Sequence, residues 1–239
     1  MPKKMNRTHL ITHLLPQSPV SEAYRLLRTN IDFASFNQTR KVLVVTSTVK
    51  GEGKTSTCAN IAIVYAQTNK KVLVIDADMR NPQCQYVFSA SNLSGLSNYL
   101  ARESNLEACI VKTHLPNIHL LPAGSIPPNP AELLTSEYFE ALISAVRALY
   151  DMVIIDTPPV LPVADAVIIS QQVDGVLFVL DSQTTNRFLA ERAMNIVRKS
   201  QTPILGVILN RLPKRDERYA YDSYYPGPGS GSIKSGNEV

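Results

Sequence analysis

The stretch Gly51-Glu52-Gly53-Lys54-Thr55 follows a short apolar run, Val42 to Val45, and leads into a helical pattern from Ser56 to Gln67. That is the setting of a phosphate site. Consecutive backbone N–H groups and a helix N-terminus surround phosphate oxygens, a lysine reaches the β and γ oxygens, and the next hydroxyl holds Mg²⁺. Lys54 and Thr55 take the last two roles, and Lys50, Gly51, Glu52, Gly53 and Ser56 complete a cradle for ATP. The pattern departs from the usual one at its first glycine, six residues before the lysine, where this chain has Thr48.

Asp76 and Asp78 close a second apolar run and Asp156 closes a third. In an open parallel sheet the carboxyl ends of the strands face the ligand crevice. Three carboxylates there can gather around one Mg²⁺ and one γ-phosphate. A helix cap or a solvated loop accounts for any one such aspartate; three beside a phosphate loop point to a shared site. Lys54, Asp76, Asp78 and Asp156 are the candidate catalytic groups, and Thr55 joins the three aspartates as a candidate metal ligand. Asn210 and Arg211 follow the last apolar run, where related nucleotide-binding folds contact adenine; an ordinary loop start is the other reading.

A second chemistry lies at the far end of the chain. Tyr219, Tyr221, Tyr224 and Tyr225 sit among Asp216, Glu217, Arg218 and Asp222, ahead of Pro226-Gly227-Pro228-Gly229-Ser230-Gly231. Nothing there has the periodicity or apolar neighbours of a core, so these phenols read as exposed. A phenol with a pKa of about 10 must lose its proton as it attacks a γ-phosphate, and a nearby carboxylate is the natural acceptor. The extended chain from Asn210 to Tyr219 spans at most about 30 Å, at roughly 3.3 Å per residue.

Residues of this kind need rigid elements to position them. Val42–Val45, Val72–Ile75, Met152–Ile155, Val176–Leu180 and Ile204–Leu209 are continuous apolar runs, the signature of strands buried on both faces. Longer helical patterns separate them, the clearest from Ala131 to Tyr150 with Leu133, Leu134, Phe139, Leu142, Ile143, Val146 and Leu149 at three-to-four spacing. The expected architecture is α/β, a doubly wound, mainly parallel sheet of the P-loop NTPase type. Ser18-Pro19 is a cap and first residue for a helix through Phe36, which makes an N-terminal helical extension. Residues 1–15 and 212–239 lack periodicity and are expected to be flexible, leaving 16–211 as one domain.

Composition agrees with one domain: 239 residues with 44% hydrophobic content can bury a single good-sized core. The net charge of +4 is too small to argue for nucleic acid. Cys58, Cys84 and Cys109 are unpaired in spacing and form no metal-ligand pattern with the four histidines, which reads as reduced thiols. No apolar run approaches the roughly 20 residues of a membrane span, and no signal-peptide stretch follows the start. The expected location is cytoplasmic, with any membrane link supplied by a partner.

Taken together, Glu22-Ala23-Tyr24-Arg25-Leu26-Leu27-Arg28-Thr29-Asn30, the phosphate loop, Val74-Ile75-Asp76-Ala77-Asp78-Met79-Arg80, Pro127-Pro128-Asn129-Pro130-Ala131-Glu132-Leu133-Leu134, Asp156-Thr157-Pro158-Pro159 and the terminal tyrosines resemble the bacterial tyrosine kinases. That family comprises the autokinases of capsule and exopolysaccharide export in Gram-positive bacteria. The resemblance implies Lys54 and Thr55 on ATP and Mg²⁺, Asp76 and Asp78 as a second Walker-type acidic motif, and Asp156 as the Walker B carboxylate. It favours Asp76 as the base or as its metal-bound orienter, with Asp78 and Asp156 around the cation.

Glu22, Arg25 and Arg28 lie three apart on one helix face. By itself that is a solvated charged stripe; the resemblance implies an interface in a ring-like homo-oligomer, with autophosphorylation of the tail in trans. It further implies activation by a transmembrane polysaccharide chain-length adaptor, recruitment to the inner face of the membrane, and reversal by a protein-tyrosine phosphatase. The alternative is a deviant Walker-type partitioning or positioning ATPase without kinase activity. That group carries a second lysine five residues before the loop lysine, where this chain has Val49, with Lys50 one residue late.

Overall fold

A computed structural model describes residues 10–34 and 40–213. In chain order the elements are α1 (Ile11–Leu14), α2 (Pro19–Ala34), β1 (Val42–Ser47), α3 (Lys54–Ala66), β2 (Val72–Asp76), α4 (Cys84–Phe88), α5 (Leu96–Leu100), α6 (Leu106–Cys109), β3 (Val111–Lys112), β4 (Ile118–Leu121), α7 (Pro130–Leu134), α8 (Glu137–Leu149), β5 (Met152–Asp156), α9 (Asp165–Ser170), β6 (Gly175–Asp181), α10 (Arg187–Arg198) and β7 (Ile204–Asn210). The sheet runs β3-β4-β2-β5-β1-β6-β7. Only the short edge pair β3–β4 is antiparallel; every other pairing is parallel, as the apolar runs require.

Successive strand side chains point to opposite faces, and the two faces carry separate cores. Val42, Val44, Leu73, Ile75, Val153, Ile155, Val176 and Phe178 face Phe139, Leu142 and Val146 of α8, Ile169 of α9, and Ala193 and Val197 of α10. Leu43, Val45, Val72, Val74, Ile154, Leu177 and Val179 face Ile61, Ala62 and Tyr65 of α3, with Ile31 of α2 behind them. From Thr57 to Ala66, α3 is buried throughout. A helix apolar all round needs cover on every side, and α1 and α2 supply the outer layer.

The N-terminal helix begins as expected. Pro19 is its first residue and the Ser18 hydroxyl accepts from the backbone N–H of Ser21 at 3.2 Å. Ahead of it, the stretch read as lacking pattern holds α1. The Thr12 backbone N–H and hydroxyl both donate to Asn60 Oδ1, at 3.0 and 2.8 Å, and Gln67 Nε2 donates to the Thr12 carbonyl at 3.2 Å. A single turn held by polar side chains has no hydrophobic period to betray it. The helix expected over Ala131–Tyr150 is two, because Thr135 and Ser136 turn their hydroxyls back onto the carbonyls of Glu132 and Leu133, at 3.0 and 2.6 Å. Apolar spacing carries across that break, so periodicity alone reads it as continuous. The tail tyrosines and the segment containing Phe36 lie outside the described residues.

Candidate functional site

β1 lies inside the sheet between β5 and β6, and the loop leaving it turns through Gly51 at φ +93° and Gly53 at φ +100° before α3 begins at Lys54. The left-handed backbone at Gly53 suits glycine, and so does the space around it: an added Cβ would stand 2.0 Å from Asn210 Nδ2. Thr48, in place of the usual first glycine, is fully buried. The buried side chain of Glu52 braces the loop from within. Its carboxylate accepts from the Val49 backbone N–H at 2.9 Å and from the Thr185 hydroxyl. Lys50 is exposed on the outer turn of the loop.

Asp76 and Asp156 end adjacent strands in exact-opposite register, so their carboxylates meet beside the loop. The Thr55 hydroxyl donates to Asp156 Oδ2 at 2.6 Å, and Lys54 is only 7% exposed. Asp76 accepts three backbone N–H groups: Gln83 and Cys84 on Oδ2, at 3.0 and 2.9 Å, and Asp78 on Oδ1 at 3.2 Å. Asp78 accepts from the Asn81 N–H at 3.0 Å and is half-buried at the mouth of the crevice. The structure therefore brings Lys54, Thr55, Asp76, Asp78 and Asp156 together, with Ser56 one residue further along α3.

Burial dominates the electrostatics. It raises the Asp76 carboxyl far above the carboxylate range, with Asp156 adding to the effect and the Gln83 and Cys84 N–H groups opposing it. Asp156 is raised by burial as well, against the pull of Lys54 and the Thr55 hydroxyl. Asp78 is pushed up to about 6 by burial and then by Asp156. Three crowded carboxyls beside one lysine are short of positive charge. The donor set, a hydroxyl with two or three carboxylates, is what a hard divalent cation takes, so these residues fit Mg²⁺.

Asn210 reaches the same loop from the end of β7, and Arg211 follows it. Asn210 Nδ2 donates to the Glu52 carbonyl at 2.9 Å, and its Oδ1 accepts from the Arg211 N–H at 2.9 Å. Arg211 has φ +58°, and its guanidinium holds the buried Asp181. The α2 residues expected at an interface have partners within the chain: Arg25 pairs with Glu22 and donates to the Pro16 carbonyl at 2.7 Å, while Arg28 donates to the Val64 carbonyl at 2.8 Å.

Three residues at the site escaped sequence reasoning as functional. Arg80, within the second acidic motif, makes a two-point contact with Asp165, at 2.9 and 3.2 Å, anchoring the loop after β2 to the start of α9. Its place two residues after Asp78 was the signal. Cys58 and Cys84 are free and buried, as expected of reduced thiols, but both donate to Asp156, at 3.7 and 3.6 Å. Burial first, then the neighbouring carboxyls, keeps both thiols well above their usual pKa. Their sequence separation hides this, since a crossover through the sheet makes them neighbours.

An AAA domain family matches residues 40–202. The tyrosine-protein kinase YwqD of Bacillus subtilis is 43% identical over 208 residues, 86% of this chain and 87% of that protein. This chain belongs to the bacterial tyrosine kinase family. The kinase domain of the Escherichia coli tyrosine kinase ETK superposes with a TM-score of 0.83 at 33% identity, covering 86% of this chain and 81% of that one. The tyrosine-protein kinase wzc of Salmonella typhi is 37% identical over 223 residues, which are 93% of this chain and 31% of that protein. The same kinase domain thus occurs there as part of a much longer polypeptide. Among the described residues of this chain, no helix is long and apolar enough to cross a membrane.

Proposed function

We propose that this tyrosine-protein kinase transfers the γ-phosphoryl group of ATP to Tyr219, Tyr221, Tyr224 and Tyr225 of a neighbouring copy, and that this cycle regulates capsular or exopolysaccharide synthesis. The observation that carries the reading is the meeting of Thr55, Asp156 and Asp76 at the foot of one phosphate loop, with the Thr55–Asp156 bond at 2.6 Å. Backbone N–H groups of Lys50 to Ser56 hold the phosphates, and Lys54 takes up charge on the outer oxygens. Thr55, Asp78 and Asp156 would hold the cation, and Mg²⁺ would supply charge neutralisation for the phosphates there. Asp76, fixed by three N–H donors, accepts the tyrosine proton. Asn210 and Arg211 border the adenine.

The described chain ends three residues past Asn210, which touches the loop of its own subunit. An extended tail from there has the reach to enter an adjacent subunit, which fits transfer in trans across a ring built on Glu22, Arg25 and Arg28. The kinase domain's occurrence inside a longer relative supports a partner of the transmembrane chain-length adaptor kind, which activates this kinase and draws it to the inner face of the membrane. A tyrosine phosphatase resets the tail. The partitioning-ATPase alternative gains nothing from the loop, since Lys50 keeps its one-residue offset.

Incubating the protein with Mg²⁺ and ATP, with and without an adaptor's cytoplasmic segment, and mapping phosphate by mass spectrometry tests this. Phosphate on the four tail tyrosines, absent from Lys54→Met, is expected. ATP hydrolysis without phosphotyrosine, even with the segment present, would overturn it.

A further inference from the structure

The loop after β2 brings a third kind of donor to the carboxylates. Ligand atoms of Asp76, Cys84 and Asp156 all lie within 4.8 Å of one another, and all three residues are buried. The group overlaps the hydroxyl-lined position suited to Mg²⁺, because Asp156 Oδ2, which accepts from the Thr55 hydroxyl at 2.6 Å, is also the oxygen beside Cys84 Sγ. We infer that Asp76, Cys84 and Asp156 form an alternative, overlapping cation site, selective for a borderline divalent ion such as Zn²⁺, whose occupation blocks phosphoryl transfer.

The geometry fits. Tetrahedral zinc with a thiolate at about 2.3 Å and a carboxylate at about 2.0 Å places those two atoms about 3.5 Å apart. Cys84 Sγ already stands 3.6 Å from Asp156 Oδ2. Closing the wider edges of the group asks each atom to move less than about 1 Å toward the centre. The backbone fixes the thiol in place, because the Cys84 N–H is bonded to Asp76 Oδ2 at 2.9 Å. On binding, the thiol proton leaves to solvent and the sulfur lone pair forms the metal bond. Thiolate selects against Mg²⁺ and for zinc-like ions. A cation held there takes both Asp76, the proton acceptor, and Asp156, which the Mg²⁺ position also needs, so it stops phosphoryl transfer.

Co²⁺ titrated into the full chain with saturating Mg²⁺ gives the direct readout. A thiolate-to-cobalt charge-transfer band is expected in the native chain and in Cys58→Ala, and is lost in Cys84→Ser. Zn²⁺ binding should weaken at least about tenfold in Cys84→Ser, and Zn²⁺ should stop tail phosphorylation in the native chain. X-ray absorption of the Zn²⁺-loaded native chain needs no variant and should find one sulfur at about 2.3 Å. Co²⁺ bound without a thiolate band, a band that survives Cys84→Ser, or zinc with no sulfur neighbour would each overturn the site. The spectra require no turnover, so failure of the kinase reading would leave them intact.

Discussion

At the scale of single residues, the carboxyls of Asp76, Asp78 and Asp156 have the most to report. Each is raised above the usual carboxylate value of about 3.9, so the folded protein binds more protons than the unfolded chain over the window between the two. The sign follows: the stability these groups contribute is greatest in acid and falls as pH rises through about 6, where Asp78 ionises, and on through about 8, where Asp76 follows. A divalent cation competes with those protons, so the melting-temperature increase on adding Mg²⁺ should be larger near pH 8 than near pH 5.5. Asp76→Asn should flatten that difference. Scanning calorimetry with chelator or Mg²⁺ at each pH checks it; an increment independent of pH would remove the aspartates as the cation's holders. These acids, with Lys54 and Thr55, were legible because strand ends and a glycine loop announce themselves in one dimension. Cys84 was not, because only the register of β2 against β5 turns a buried thiol into a neighbour of Asp156.

At the scale of elements, β1, β2, β5, β6 and β7 and their parallel pairing were legible from apolar runs, whereas the short β3 and β4 were not read, and the helices covering α3 were only partly so. The amphipathic α2 showed its face and its cap. α1 is held by Thr12 and Asn60, and no spacing rule finds a helix of one turn. Asn60→Ala strands the Thr12 N–H and hydroxyl in a buried setting and should cost about 1–3 kcal/mol, read by urea denaturation. A loss within error would mean that α1 is incidental to the outer layer.

The loop makes a stricter demand. Gly53→Ala meets both a left-handed backbone and the Asn210 amide, whose nitrogen would stand 2.0 Å from the new methyl. Nucleotide affinity should fall by at least about tenfold, given backbone strain of order 1–3 kcal/mol. Adding Asn210→Ala should restore part of it and no more, since the strain at φ +100° persists. Isothermal titration with ADP on both variants decides; full recovery in the double variant would assign the whole effect to crowding.

At the scale of the whole molecule, the stripe on α2 poses the open question of assembly. Glu22, Arg25 and Arg28 already have partners inside the subunit, so joining a second copy must exchange or share those bonds. Each phosphate brings about −1.5 to −2 charge, and four on one tail would repel their counterparts across a ring. Light scattering should show a large assembly after phosphatase treatment and smaller species after full phosphorylation. Glu22→Ala/Arg25→Ala/Arg28→Ala should stay small in both states. An unchanged mass across all of these would separate the tail from assembly.

The sheet order also governs how this molecule comes into being. β1, whose end carries the phosphate loop, is flanked by β5 and β6, both made more than a hundred residues later. Such distant pairings close slowly. While the chain is still emerging from the ribosome, its first strand and the helix behind it have no neighbouring strand to join until Asp156 is out. The nucleotide pocket is therefore among the last features to be finished, and ATP cannot act as a template for the nascent chain. The first third of the polypeptide must be kept from wrong partners through most of its own synthesis.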